Sequence, residues 1–562
     1  MNKEELFQDV KEKLKYIYKD KYNEEFILKM EELFNKWENK HWEKANEITE
    51  KNVYLITYGD SIYEKGENTL ATLNKFLRKE VKDVITDVHL LPMFEYTSDD
   101  GFSVVDYKRI DENLGDWEDI NILSKNYRLM FDFVANHISK SSDWFKRYIN
   151  GEEKYKNFFI PYDENFDTSK VVRPRTSPLF HKYIGKSGEK TAWTTFSEDQ
   201  VDINIAYFPI LLEMTDIILM YANKGATSIR LDAIGFLWKE SGTSCMHLKR
   251  THEIIKLWRT VLDYFKPNTQ IITETNVPHK ENISYFGNKN DEANMVYQFS
   301  LPPLVLYTFT MHNSTKLSNW AKTIDVVSDK ATYFNFLSSH DGIGMRPTEG
   351  ILTENEKQIL VDKTLENGGK VSYKTNADKT KSVYELNINY HDALLNKNED
   401  VTEELEIKKI LAANSILLSC VGVPAIYYHS LLGSRNDEKG MKDSGINRRI
   451  NREKLSYDFI LKDVNKDNRR SKIFSSLKEI IKLRKKESSF SPYAKQKVID
   501  LNNKVFALER INENTNEKIT FIVNIDYKPI EFGCDIKGKD IITGKDIDGT
   551  IKLNPYQFLW IK

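Results

Sequence analysis

The sequence predicts an α/β fold: a (β/α)8 TIM barrel with insertions after strands 3 and 7, a helical N-terminal extension and a C-terminal antiparallel β domain. Two observations predict the barrel. From residue 53 onwards, eight short, β-rich apolar runs alternate with longer stretches of helical periodicity. Several runs are nearly continuous in apolar residues, as expected of strands buried on both faces, and several end in polar or charged residues.

Residues 1–50 are predicted to form the helical extension, because apolar side chains recur there at helical spacing in two stripes. The first stripe is Leu6, Val10, Leu14 and Ile17, and the second is Phe26, Met30, Leu33 and Trp37. Such stripes are typical of helices that pack on a larger domain. They leave open a contact between two copies of the chain, that is, a homodimer.

The catalytic barrel is predicted to span residues 51–489. The parallel strands of such a barrel direct their carboxyl ends to one face, and the loops that follow them carry the chemistry. The eight predicted strands are VYLITYG (53–59), DVHLLPMF (87–94), LMFDFVANH (129–137), ATSIRLDAIG (226–235), TQIITETN (269–276), MVYQFSLP (295–302), TYFNFLSSHD (332–341) and VPAIYYHS (423–430).

Two connections, residues 138–208 and 342–405, are too long for simple loops, and we expect them to be insertions over the active face. The first is rich in aromatic residues, and the second is polar. The tail alternates as strands in KVFALERI, KITFIVNI and YQFLWIK, which predicts a small β domain over residues 490–562.

The composition argues against several classes of protein. The 82 Lys and Arg residues nearly balance 84 Asp and Glu residues, so a formal net charge of −2 does not favour a nucleic-acid or anionic-membrane partner. The polar start lacks the apolar core of a signal peptide, and no apolar run reaches the length of a membrane span. Three scattered cysteines fit reduced thiols. We therefore expect a cytoplasmic protein.

Three acids, Asp232, Glu274 and Asp341, end predicted strands four, five and seven. A barrel would bring these distant residues to one pocket. Two carboxyls facing each other across a pocket can cleave a glycosidic bond, and at about 5–5.5 Å apart they do so with retention of configuration. A charge at one strand end is more often a solvated terminus, but five polar strand ends on one fold favour a shared site.

The neighbours of the acids suggest separate roles. Arg230 lies two residues before Asp232 and so shares its face of the strand. We expect this cation to keep Asp232 ionised, as a nucleophile requires. Glu274 lies among apolar residues, where burial would raise its pKa and suit a general acid. His137 and His340, at two other strand ends, can donate hydrogen bonds to sugar hydroxyls.

The runs DFVANH (132–137), IRLDAIG (229–235), TETN (273–276) and SSHD (338–341) resemble, in that order, the four signature regions of the alpha-amylase superfamily of glycoside hydrolases. QVDIN (200–204) resembles its additional region before strand four. The longer runs RLDAIGFLWKESGTSC, YQFSLPPLVL and GVPAIYY are similar to the sucrose phosphorylase group, and the similarity extends from residue 53 to the end.

This resemblance implies roles for individual residues. Asp232 would be the nucleophile that forms a β-glucosyl ester, Glu274 the acid/base, and Asp341 the stabiliser of the oxocarbenium-like transition state. The glucosyl unit would be held by Asp99, His137, Arg230, His340 and Arg448, with Phe102 as an apolar wall and Phe196 beside the sugar. Arg175 and Tyr384, one in each insertion, would bind phosphate, which a guanidinium fork fits well. The group implies neither a cofactor nor a metal.

Three departures from the sucrose phosphorylases resemble the branch of 2-O-α-glucosylglycerate phosphorylases. They are the N-terminal extension, Glu385 where sucrose enzymes usually place a glutamine after the tyrosine, and MRPTEGIL after SSHDGIG. A glycerate acceptor carries a carboxylate, so we expect a basic residue beside it. The candidates are Lys239, Arg346 and Arg435, each of which is also suited to a loop salt bridge.

The predicted function is therefore that of a retaining α-glucoside phosphorylase, a hexosyltransferase that uses inorganic phosphate and an α-glucoside, with glucosylglycerate as the favoured substrate. Phosphorolysis of sucrose or sucrose 6′-phosphate is an alternative, as is an α-glucosidase or transglucosidase activity at the same site. A catalytically silent sugar-binding barrel is a further interpretation, which the presence of all three acids opposes.

Overall fold

Eight parallel strands among the described residues close into one barrel in chain order. The structure is a computed structural model that describes residues 1–288, 291–376, 378, 380–396, 399 and 402–562. The barrel strands are β1 (Tyr54–Thr57), β2 (Asp87–Leu90), β3 (Arg128–Val134), β4 (Ala226–Asp232), β5 (Gln270–Thr273), β6 (Met295–Tyr297), β7 (Thr332–Asn335) and β8 (Val423–Tyr427). Each overlaps one of the eight predicted runs, so the predicted barrel is confirmed.

Helices cover the outer face of the barrel, and side chains fill its interior. The strands are therefore buried on both faces. Every residue of β1, β2, β5, β6, β7 and β8 is buried, which explains why most of the strands are apolar in sequence. The helices that follow successive strands are Thr69–Glu80, Trp117–Ser124, Phe208–Asn223, Lys249–Phe265, His279–Asn282, Leu301–Met311 with Thr315–Ala321, Glu403–Ser419, and Arg469–Arg484. Shorter helices after β8 are Tyr428–Leu431, Glu438–Ser444 and Tyr457–Asp463.

The connection after β2 contains an antiparallel hairpin, Phe94–Tyr96 with Val104–Ile110, that the sequence did not predict. The predicted second strand, 87–94, ends four residues early, at Leu90. Pro92 explains the break, because proline cannot donate a hydrogen bond to the neighbouring strand. The hairpin turn carries Asp99 and Phe102 towards the carboxyl end of the barrel.

Both predicted insertions supply residues to the pocket at the carboxyl end of the barrel. The first contains a helix, Asp143–Ile149, and four strands, His137–Ser139, Phe180–Gly185, Gly188–Trp193 and Gln200–Asp202. The second contains a three-stranded sheet of Ile343–Gly344, Lys381–Asn387 and Lys370–Thr375, with helices Glu354–Glu366 and Tyr390–Ala393. Within the second predicted insertion, residues 377, 379, 397, 398, 400 and 401 lie outside the described residues.

The N-terminal extension folds as two helices, α1 (Lys3–Tyr18) and α2 (Glu24–Glu38), that pack on the outside of the barrel. The Trp37 indole N–H and the Lys36 ammonium each lie 2.8 Å from Asp216 Oδ1 on the helix after β3. Phe26 stacks on Phe208 of the same helix, with ring centroids 4.1 Å apart. The bounds of the three predicted units, 1–50, 51–489 and 490–562, stay a prediction.

The C-terminal residues form antiparallel sheets that pack against the barrel. One sheet contains Lys495–Val498, Val505–Asn512, Glu517–Asn524 and Phe558–Ile561, and the other contains Ile530–Lys539 and Asp546–Leu553. The Trp560 indole N–H donates to Ser419 Oγ at 2.8 Å, which joins this sheet to the helix after β7. Among the helices of the described residues, none is both long and apolar enough to cross a membrane.

Candidate active site

A buried ion pair lies inside the barrel, below the carboxyl ends of its strands. Arg230 and Asp132 are register partners on the adjacent strands β4 and β3, so their side chains share the barrel interior. The Arg230 guanidinium contacts the Asp132 carboxylate and donates through Nε to the Tyr297 hydroxyl at 3.1 Å. His89 Nε2 lies 2.7 Å from the other Asp132 oxygen. These contacts fix the position of Arg230, which is 1% exposed.

The same guanidinium faces the acids that follow β4 and β5. Nη1 of Arg230 donates to Asp232 Oδ1 at 2.8 Å, and Nη2 lies 3.9 Å from Glu274 Oε2. The backbone enters the left-handed region at Ala233, with φ 49°, and the Ala233 N–H donates to Glu274 Oε2 at 3.3 Å. Asp232 and Glu274 are therefore grouped around one cation, as the shared strand face of Arg230 and Asp232 predicts.

Asp341 lies in the loop after β7 and is surrounded by cations from the loop after β8. Nη1 of Arg448 is 2.7 Å from Asp341 Oδ1, and Nη2 of Arg452 is 3.5 Å from the same oxygen. His340 Nε2 lies 3.4 Å from Asp341 Oδ2. Arg448 is held in turn by Glu385, whose two carboxylate oxygens accept its hydrogen bonds at 2.8 and 3.0 Å.

The three acids differ in how burial and neighbouring charge combine. Burial raises the pKa of Asp232 well above its usual range, although Arg230 opposes this rise. Burial also raises the pKa of Glu274, again against the effect of Arg230. Asp341 is buried as well, but Arg448 and its neighbours hold the pKa of its carboxyl below the ordinary value. The expectation that Arg230 keeps Asp232 ionised did not include this burial, which opposes the charge on Asp232, so the protonation of Glu274 also has to be considered.

The Glu274 carboxylate raises the pKa of Asp232, so the two carboxyls do not bind protons independently. Arg230 lies 2.8 Å from an Asp232 oxygen and 3.9 Å from a Glu274 oxygen. Because the attraction grows as the distance falls, a single shared proton is favoured on Glu274, with the negative charge on Asp232. That distribution suits a nucleophile beside a general acid.

One pocket contains almost every residue that the sequence assigned to the site. Its lining includes the three acids and eight of the nine predicted substrate contacts: Asp99, Phe102, His137, Arg175, Phe196, His340, Tyr384 and Arg448. The ninth, Arg230, is not part of the lining and lies beneath Asp232. The hairpin after β2 and both insertions therefore close over the ends of β4, β5 and β7.

The two histidines of the pocket make different contacts with the protein. His137 Nε2 lies 3.0 Å from the Phe102 carbonyl oxygen, so it acts as the donor there and is not free for a sugar hydroxyl. His340 stacks on the Phe102 ring at a centroid distance of 4.9 Å and an interplanar angle of 6°. Burial holds the pKa of His340 well below its usual range, so its ring is neutral at pH 7.

Arg175 lies between two aromatic rings and has no carboxylate partner among the described residues. Its guanidinium carbon lies 5.5 Å from the Phe196 ring centre and 5.2 Å from the Tyr384 ring centre. Cation–π contacts orient a guanidinium without neutralising its charge. Arg175 is therefore suited to receive an anion that enters the pocket.

The three basic candidates for a carboxylate-binding site differ in their ion pairs and in whether they line the pocket. Lys239 is buried in an ion pair with Asp202 at 2.7 Å. Arg435 pairs with Asp392 and Glu406, at 2.8 and 3.0 Å, and does not line the pocket. Of these three, only Arg346 lines the pocket that contains the three acids. The salt-bridge interpretation thus fits Lys239 and Arg435.

Several residues of the site carried no assignment from the sequence. Gln200 donates to Asp99 Oδ2 at 3.1 Å and to the Phe102 carbonyl at 3.2 Å, which supports the hairpin turn. Asn276 and Glu385 line the pocket. Gln200 and Asn276 lie within the runs QVDIN and TETN, and Glu385 follows Tyr384, so their proximity to assigned residues was the available signal.

Comparison with known proteins identifies relatives along most of the chain. Residues 79–348 match the family described as "Alpha amylase, catalytic domain". Three glucosylglycerate phosphorylases are 43–46% identical to the chain. That of Allomeiothermus silvanus is 45% identical over 514 residues, which cover 91% of this chain and 91% of the relative. The sucrose phosphorylase of Streptococcus mutans is 28% identical, over 82% of this chain and 92% of the relative.

A solved structure supports the fold. The crystal structure of sucrose 6F-phosphate phosphorylase from Thermoanaerobacter thermosaccharolyticum superimposes with a TM-score of 0.74. The superposition covers 90% of this chain and 98% of that chain, at 24% sequence identity. At that identity the similarity demonstrates a shared fold.

Proposed function

Because this chain belongs to the alpha-amylase family, in the group that contains the glucosylglycerate phosphorylases, we propose that it is a retaining α-glucoside phosphorylase that acts on 2-O-α-glucosylglycerate. The enzyme would use inorganic phosphate to release glycerate and form α-glucose 1-phosphate. The observation that carries the acceptor is the identity of 43–46% to three glucosylglycerate phosphorylases, against 28% to a sucrose phosphorylase. The grouping of three acids and Arg175 around one pocket supports the reaction type.

In the first step, the Asp232 carboxylate attacks the anomeric carbon and forms a β-glucosyl ester. The proton that the site favours on Glu274 passes to the glycosidic oxygen, so glycerate leaves with a neutral hydroxyl. Arg230 contributes by favouring negative charge on Asp232, from which it is 2.8 Å away. Asp341, whose pKa is low, provides the negative charge that opposes the positive charge developing on the sugar ring.

In the second step, a phosphate oxygen attacks the same carbon from the side that glycerate vacated. The phosphate loses one proton to the Glu274 carboxylate, the bond to Asp232 breaks, and the free acid pair is restored. Two inversions give the α configuration of the product. Arg175 is the cation that we assign to the incoming phosphate, because its charge is held between Phe196 and Tyr384 without a carboxylate partner among the described residues.

Phosphorolysis instead of hydrolysis requires that the pocket exclude water while the ester persists. Phe102, Phe196 and Phe299 form apolar parts of its lining. The two insertions contribute Arg175 and Tyr384, which line the pocket and lie against each other. An α-glucosidase or transglucosidase would use the same acids, and the phosphate-binding cation argues against that alternative.

The test is a substrate panel with the whole enzyme. Glucosylglycerate, sucrose and sucrose 6′-phosphate are each incubated with and without phosphate, and glucose 1-phosphate and free glucose are measured separately. We expect phosphate-dependent glucose 1-phosphate from glucosylglycerate and at most slow turnover of the other two. Free glucose released at equal rates with and without phosphate would refute phosphorolysis. Turnover of sucrose but not of glucosylglycerate would refute the acceptor and leave the mechanism in place.

A further inference from the structure

The pocket contains a second cation that the proposed reaction steps do not use. Arg346 begins a short turn, Arg346–Thr348, directly after the strand Ile343–Gly344 of the second insertion. The neighbouring Met345 N–H donates to the Tyr384 carbonyl at 2.9 Å, which fixes this turn beside the strand that carries Tyr384. The Arg346 side chain is 15% exposed and lines the pocket of the three acids.

Arg346 is incompletely satisfied within the protein. Its Nε is buried and has no hydrogen-bond acceptor among the described residues. The carboxylate of Glu349 lies 3.8 Å from that nitrogen, which is beyond hydrogen-bond distance, and Glu349 is 41% exposed. A buried donor without a partner costs free energy, so a ligand that supplies an acceptor there gains more than it would in water. An anionic ligand would supply the acceptor that Arg346 Nε lacks.

Asn276 provides a polar partner in the same part of the pocket. Its Oδ1 is buried without a donor among the described residues. The side chain lies directly on the α-carbon of Gly344, where a Cβ atom would be 2.5 Å from Oδ1 and 2.7 Å from Nδ2. Glycine at 344 thus allows the amide to lie close to the start of the Arg346 turn. One cation and one amide with free hydrogen-bonding capacity line the pocket from neighbouring segments.

The other cations in the pocket lining and directly beneath it already have partners within the protein. Arg448 is shared between Asp341 and Glu385, and Arg230 between Asp132 and Asp232. Arg175 is oriented by two aromatic rings and is assigned above to phosphate. The proposed reaction brings two different anionic groups to the pocket in succession, a carboxylate and a phosphate. A second cation is therefore needed if the site is to distinguish them.

We propose that Arg346 binds the carboxylate of the acceptor and that Asn276 binds its neighbouring hydroxyl, so that the pocket selects a 2-hydroxy acid. This inference rests on the proposed phosphorolysis of glucosylglycerate and names the residues that select its acceptor. A guanidinium forms two parallel hydrogen bonds with a carboxylate, which gives direction as well as charge. A neutral acceptor of the same size would leave the Arg346 nitrogens unpaired and would bind less well.

The test measures two reactions of glucose 1-phosphate with wild type and Arg346→Gln. In the first, glycerate is the acceptor, and in the second, arsenate takes the glucosyl unit from the enzyme ester, and water hydrolyses the resulting glucose 1-arsenate to glucose. We expect the kcat/KM for glycerate to fall by about 100-fold, as one or two lost charge-assisted hydrogen bonds imply, while arsenolysis stays within about threefold. Asn276→Ala should lower kcat/KM for glycerate by about tenfold, the loss expected of one neutral hydrogen bond. Lys374→Gln removes a neighbouring positive charge of the same insertion that does not line the pocket, and it should change neither reaction.

The outcomes separate the two proposals. Equal losses in glycerate transfer and arsenolysis with Arg346→Gln would overturn the inference, because Arg346 would then act on phosphate or on the fold. An unchanged kcat/KM for glycerate would overturn it as well. A wild-type enzyme that transfers glucose to another acceptor but not to glycerate would refute the proposed acceptor, and with it this assignment, before any variant is made.

Discussion

Glu385 holds Arg448 against the catalytic pocket by two parallel hydrogen bonds, 2.8 Å from Nε to Oε1 and 3.0 Å from Nη2 to Oε2. The two residues are 63 positions apart, and Glu385 is 2% exposed. The same guanidinium presents Nη1 to Asp341 at 2.7 Å. A strand of the second insertion therefore positions the cation that keeps the pKa of Asp341 low. This connects the insertion directly to the catalytic acids.

Replacing Glu385 with glutamine tests this connection. The amide oxygen of glutamine can accept only one of the two hydrogen bonds and carries no charge, so Arg448 would lose its fixed orientation. We expect kcat/KM for phosphorolysis to fall by about 10- to 100-fold, which corresponds to about 1.4–2.7 kcal/mol of lost transition-state stabilisation. Thermal unfolding provides the check that the fold is intact. The matched control is Glu354→Gln in the same insertion, where the side chain is 85% exposed. Equal effects of the two variants would contradict a positioning role.

Asp232→Asn should abolish the chemistry while keeping the shape of the pocket. An amide of the same size cannot form the glucosyl ester, so we expect kcat to fall by about 10⁴-fold in both phosphorolysis and arsenolysis. The control is Asp60→Asn, since Asp60 also follows a barrel strand but pairs with Lys454 outside the catalytic pocket. Residual activity within tenfold of wild type would refute the assignment of Asp232 as the nucleophile and would favour another nucleophile.

The same substitution should change how stability depends on pH. Burial raises the pKa of both Asp232 and Glu274, so above their ordinary pKa values of about 3.9 and 4.3 the folded pair holds more protons than the unfolded state. The contribution of this pair is thus favourable at low pH and is lost as the pH rises towards its folded pKa values, and Asp232→Asn removes one of the two carboxyls and the charge that raises the pKa of the other. Asparagine does not titrate. We expect the melting temperature of Asp232→Asn, relative to wild type, to increase between pH 5 and pH 8. A difference that stays constant over that range would contradict the raised pKa.

Arg175→Ala should weaken phosphate binding more than glucoside binding. Removing the guanidinium between Phe196 and Tyr384 takes away the positive charge assigned to the incoming phosphate. We expect the KM for phosphate to rise by about 10- to 100-fold, with a larger share of free glucose among the products because water then competes for the ester. Lys170→Ala, an exposed substitution in the same insertion, is the control. An unchanged KM for phosphate would assign that anion to another residue.

Much of the fold follows from the sequence, because barrel strands buried on both faces leave continuous apolar runs at regular intervals. All eight barrel strands overlap predicted runs, and the three acids at the ends of the fourth, fifth and seventh runs meet in one pocket. The pattern of apolar residues did not predict the short strands that lie within the loops. The hairpin after β2 was missed because its first strand has only 3 residues and its pairing is irregular, with register shifts at both Phe94/Glu95 and Glu95/Tyr96.

The sequence by itself determined the barrel, the order of the acids along it and the shared strand face of Arg230 and Asp232. Only the tertiary structure decided which basic residue reaches the pocket, because Lys239, Arg346 and Arg435 all lie in loops, where no period fixes the direction of a side chain. It also decided the charge state of the acids. The pKa of Asp232 depends on how much water the whole fold removes and on Glu274 and Asp341 from other loops, which two charged residues at the end of one strand cannot reveal.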